Sequence, residues 1–66
     1  MNRLAEYRAQ KGMSQEDLSV KSKVSRPYIS EIETGTQKTI TNTVMYKLAE
    51  ALNESVVDIF FSQDVV

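Results

Sequence analysis

Ser14 to Gly35, SQEDLSVKSKVSRPYISEIETG, is where this chain concentrates residues suited to specific recognition. Ser14 and Ser25 are capping types at the mouths of two short helical segments. Leu18, Val24, Ile29 and Ile32 fall where two crossed helices would bury apolar groups against each other, and Gly35 closes the run. Two helices joined by a tight turn can deliver hydrogen-bonding side chains into a DNA groove. The rest of the chain offers no rival chemistry. It has no histidine and no cysteine, no glycine-rich phosphate loop and no convincing paired carboxylates in a cleft. Disulfides, the usual zinc ligand sets and enzymatic catalysis are therefore not expected, and neither is a cofactor or a small-molecule substrate.

With 66 residues, of which 41% are hydrophobic, one small domain is expected, near the lower size at which a chain folds without metals or disulfides. Stability must come from helix packing, aided by a second subunit. No apolar run is long enough to cross a membrane and the first residues do not resemble a signal peptide, so a cytoplasmic location is expected. The net charge is −1, which taken alone argues against nucleic acid. Its distribution does not. Residues 1–40 carry seven Lys and Arg against five Asp and Glu, a balance of +2, whereas residues 41–66 carry one against four, a balance of −3. That asymmetry suits one face turned toward phosphate, although a solvated surface with random charge placement would also produce it.

Glycine and proline are limited to Gly12, Pro27 and Gly35, and the chain reads as helix throughout, punctuated by caps. A first helix over 2–11 starts at Asn2 and stops at Gly12, where a residue just past a helix often needs positive φ. Ser14-x-x-Asp17 reads as a capping box opening a second helix to Lys21 or Ser22, with Gln15 exposed and Leu18 facing inward. The third starts near Ser25, with Ser25 or Arg26 as its cap and Pro27 in its first turn. Ile29 and Ile32 face the core, Tyr28 and Glu31 point outward, and the helix ends at Thr34-Gly35. Residues 36–41 form a loop. A fourth helix spans roughly 42–52, with Met45, Leu48, Ala49 and Leu52 as its buried stripe and Asn53 as a left-handed stop. Ser55-x-x-Asp58 caps a short fifth helix to about Phe60. The fold expected is all-α, a compact bundle of five short helices, with residues 1–60 as the domain and 61–66 as a C-terminal tail.

This order of elements resembles the lambda-repressor-like, Cro-type (XRE) helix-turn-helix domains of small bacterial and phage regulators, over roughly Leu4 to Phe60. The carriers are Arg8, KGMSQEDL at 11–18, VSR at 24–26, ISEIETG at 29–35 and LAEAL at 48–52. The resemblance implies double-stranded DNA as partner, with the third helix reading bases in the major groove through Arg26, Pro27, Tyr28 and Glu31. Arg26 would clamp guanine O6 and N7, Tyr28 would lie against a thymine methyl or bond a phosphate, and Glu31 would accept from cytosine N4 or exclude wrong registers. Gln15 would hold the DNA backbone with help from the helix dipole, as would Ser14, Ser25, Thr36, Gln37, Lys38 and Thr39. The matching Arg8 and Glu33 would instead pair inside the fold. Bland readings stand beside these. Tyr28 suits the rim of the core equally well, Gln15 and Lys38 are ordinary surface types, Lys21, Lys23 and Lys47 read as solvating charges, and Tyr46 reads as packing.

The chain departs from the family pattern at Ser19, where alanine is usual, and at Lys23, where glycine is common in the turn. The loop after Gly35 is one residue longer, with Thr39 or Ile40 where proline often stands, and Pro27 lies early in the reading helix. At the C-terminal end, Val56, Ile59 and Phe60 are assigned inward. Val57, Phe61, Val65 and Val66 remain as apolar surface for an isologous dimer. The expected function is a homodimeric, sequence-specific transcriptional regulator, a repressor reading a palindromic operator. The alternative is a protein-interaction module of antitoxin or antirepressor type that keeps the fold and takes a regulatory protein partner.

Overall fold

Each helix begins where a short polar side chain can satisfy a first-turn N–H, and four are followed by a residue in the left-handed region. In the computed structural model, which describes residues 2–37 and 39–61, α1 spans Leu4–Gln10, α2 Gln15–Ser22, α3 Arg26–Thr34 and α4 Asn42–Leu52. Ser14 Oγ accepts from Asp17 N–H while the Asp17 carboxylate accepts from Ser14 N–H, completing the capping box that opens α2. Ser25 caps α3, with Arg26 and Pro27 as its first two helical residues, so the choice between Ser25 and Arg26 falls to Ser25. Thr41 caps α4. Gly12, Lys23, Gly35 and Asn53 all have positive φ and follow the ends of the four helices. At Lys23 (φ 63°) the side chain makes this conformation costly by about 1 kcal/mol.

Two ends differ from expectation. α1 is shorter than 2–11, and Asn2 lies outside it with a double task. Its Oδ1 accepts from Leu4 N–H while its Nδ2 donates to Ile32 O, tying the start of α1 to the end of α3. The fifth helix is wound as a π-helix over Val57–Phe61. Ser55 Oγ does accept from Asp58 N–H, and the Ile59 carbonyl accepts from Arg3 N–H at 2.8 Å, tying this helix to the start of α1.

α2 packs on α3 and α4, and α1 packs on α3 and the π-helix. The shared core holds Leu4, Leu18, Val24, Ile29, Ile32, Leu48, Ala49, Ala51, Leu52, Ile59 and Phe60. The radius of gyration, 10.6 Å, is that of a compact globule of this length. The stripe of α4 is rotated slightly from expectation: Ala51 is buried, while Met45 is only half-buried, as is Val56 beyond the helix. Tyr46, expected to pack, is 68% exposed, because it lies some 200° around the helix from Leu48. No helix among the described residues is long and apolar enough to cross a membrane.

Candidate nucleic-acid interface

α3 starts with its polar end uncovered. Ser25, Arg26 and Pro27 are exposed, and so is Glu31 one turn further on. Ser25 Oγ accepts from Tyr28 N–H at 3.3 Å, which fixes where the helix begins and hence where Arg26 leaves it. Tyr28 is half-buried and packs against the core, so its ring is rim as well as surface. The opposite end of α3 is anchored. Gly35, Thr36 and Gln37 all donate backbone N–H groups to Glu31 O, and the Thr36 hydroxyl lies within bonding distance of both that carbonyl and Thr34 Oγ1. Gln37 Nε2 donates onward to Thr39 O at 3.0 Å. The segment after α3 is thus folded back on the last turn of the helix.

The start of α2 is the second polar end. The capping box occupies the Ser14 and Asp17 N–H groups, and those of Gln15 and Glu16 have no partner among the described residues. Unpaired N–H groups at a helix N-terminus favour an anion such as a phosphate. The hydrogen bonds from Ser14 hold the Asp17 carboxyl below its usual range. Gln15, expected to be exposed, is half-buried, with Nε2 donating to Glu33 Oε1 at 2.9 Å.

That carboxylate is also the partner of Arg8. Arg8 Nε donates to Glu33 Oε2 at 2.7 Å, Nη2 to Oε1 at 3.1 Å, and Nη1 to Met13 O at 2.8 Å. The Glu33 side chain is 7% exposed and that of Arg8 19%, and the hydrogen bond to Glu33 raises the Arg8 pKa. A planar guanidinium matched two-for-two with a carboxylate is the stronger kind of ion pair. It joins α1, α3 and the segment leading into α2, fixing the two polar ends relative to each other.

A helix-turn-helix family model matches residues 4–59, almost the whole of this arrangement. The chain belongs to that family. No protein of curated description matches it. This helix-turn-helix protein is accordingly a DNA-binding regulator. Its two defining helices are α2 and α3, and the turn between them is set by Lys23 and by Ser19 Oγ, which donates to Val24 O at 2.6 Å. Of the residues assigned to DNA from the sequence, Ser14, Gln15, Ser25, Arg26, Pro27, Tyr28 and Glu31 lie on α2, α3 and their caps, and Thr36, Gln37 and Thr39 on the segment after α3. Lys38 lies outside the described residues. The link between Gln15 and Glu33 was missed by sequence reasoning, since nothing local connects positions 18 apart.

Away from these ends, the helix-turn-helix protein exposes Tyr46, Val57 and Phe61, the last two at 60% and 59%. Tyr46 and Val57 border an open apolar groove together with Ala49, Val56 and the acidic Glu50 and Glu54. Val65 and Val66, assigned with Val57 and Phe61 to a dimer surface, lie outside the described residues.

Proposed function

We propose that this regulator works as a homodimer that occupies a palindromic operator and represses transcription by excluding polymerase. The observation that carries this reading is the uncovered start of α3, where Arg26 and Pro27 stand exposed beside a fixed cap. Arg26 reads a guanine, Tyr28 and Glu31 set the neighbouring positions, and Pro27 closes the surface against the groove wall. Ser14, Gln15, Ser25, Thr36, Gln37, Lys38 and Thr39 hold the flanking phosphates. One such unit makes few base contacts; two, with reading helices about 34 Å apart, roughly square the selectivity. Exposed Val57 and Phe61, with the groove beside Tyr46, support self-association at that end of the molecule.

The decisive experiment is selection of bound duplexes from a random DNA library, followed by sequencing. An enriched palindrome with half-sites about one helical turn apart is expected. A second reading, a protein-interaction module of antitoxin or antirepressor type, draws on exposed Glu31 and the low isoelectric point of about 5.3. Absence of enrichment at low salt, from folded protein, would favour it. Duplex affinity that falls steeply with salt, as counterion release requires, would oppose it.

A further inference from the structure

We infer that Glu33 is a positioning residue for DNA binding: its carboxylate holds the Gln15 side-chain amide at the mouth of α2, aimed at a phosphate, while Arg8 cancels the charge that would otherwise repel that phosphate. The inference rests on the DNA-binding reading above and deepens it.

Geometry carries the argument. Glu33 Oε1 takes two donors, Arg8 Nη2 at 3.1 Å and Gln15 Nε2 at 2.9 Å, and Oε2 takes Arg8 Nε at 2.7 Å. A carboxamide nitrogen has two hydrogens, and only one is used here. The other stays on the first residue of α2, beside the Gln15 and Glu16 backbone N–H groups that have no partner among the described residues. A glutamine at a helix mouth ordinarily samples several rotamers, and ordering it on binding costs affinity. Here the ordering is done during folding. A lone carboxylate so close to a phosphate would oppose binding; the bidentate Arg8 guanidinium leaves the pair neutral. The same carboxylate thus serves two purposes, joining α1 to α3 and holding a phosphate donor in place.

The test is a double-mutant cycle on a duplex enriched by the selection, with wild type, Gln15→Ala, Glu33→Gln and the double variant, at a temperature where circular dichroism shows all four folded. In Glu33→Gln, Arg8 is the stronger donor and takes the amide oxygen, leaving an NH2 group facing Gln15. Gln15→Ala is expected to weaken binding about tenfold, the worth of one hydrogen bond to a charged group. In the Glu33→Gln background the same substitution is expected to change affinity by less than about twofold. A Gln15→Ala loss as large in the Glu33→Gln background as in wild type, or a Gln15→Ala variant that binds like wild type, would overturn the inference and leave the DNA-binding reading standing. Should Glu33→Gln unfold, the wild-type protein still decides by nuclear magnetic resonance. The Gln15 side-chain amide should give one downfield, slowly exchanging proton, and a freely averaging amide sinks the inference. Wild-type protein that binds no duplex removes the DNA-binding reading itself, and this inference with it.

Discussion

Arg26 and Glu33 are both charged residues of α3, and their surroundings give them opposite work. Arg26 is exposed at the first helical position, so Arg26→Ala should leave the melting temperature unchanged and relax base preference at one operator position. The expected loss of discrimination is about 1–3 kcal/mol, read by repeating the duplex selection with the variant. Glu33 is nearly enclosed and accepts from Arg8 and Gln15. Glu33→Ala leaves the Arg8 guanidinium without its carboxylate and should cost about 3–5 kcal/mol, enough to unfold much of a domain this small. Thermal unfolding measures it, and a variant that melts with wild type while binding DNA weakly would refute the enclosed-pair role. The ion-pair partners were legible from the family pattern. That Gln15 shares their carboxylate was not, because the contact exists only once α2 is laid against the end of α3.

At the scale of the elements, caps and stops dominate, and both ends of α2 are open to measurement. The Asp17 carboxyl is held below its ordinary value by Ser14. A carboxyl whose folded pKa is depressed stabilises the fold above its unfolded value, and loses that contribution as pH falls through the folded one. The melting temperature of wild type should therefore exceed that of Asp17→Ala near neutral pH, and the gap should close on acidification below about pH 4. A gap independent of pH would show that the carboxylate charge contributes nothing to the cap. At the other end, Lys23 holds a left-handed conformation with a side chain attached. Lys23→Gly should relieve that strain, and after the extra chain entropy of glycine is subtracted the net stabilisation should be at most about 0.5 kcal/mol. For a chain of this size that is a rise of a few degrees in melting temperature at most. The π-winding of Val57–Phe61 escaped the sequence because Ser55 and Asp58 advertise only a helix start. The bond from Arg3 N–H to Ile59 O belongs to tertiary structure.

At the scale of the whole molecule, the proposed dimer rests on the exposed apolar Val57 and Phe61, and the proposed DNA contacts on the exposed polar starts of α2 and α3. Phe61→Glu should shift the protein toward monomer in sedimentation and weaken operator binding, with little change in helix content. A variant sedimenting like wild type would move the dimer surface elsewhere. The sequence by itself determined the number and order of the helices, the capping box of α2, the stops at Gly12, Gly35 and Asn53, and most of the core. These depend on residue type within a few positions, and on apolar spacing that repeats along each helix. Tertiary structure alone decided that Asn2 braces the end of α3, that Gln15 is anchored on Glu33 and that Tyr28 shares its ring with the core. Each of those depends on where one helix lies against another, a distance that no local pattern encodes.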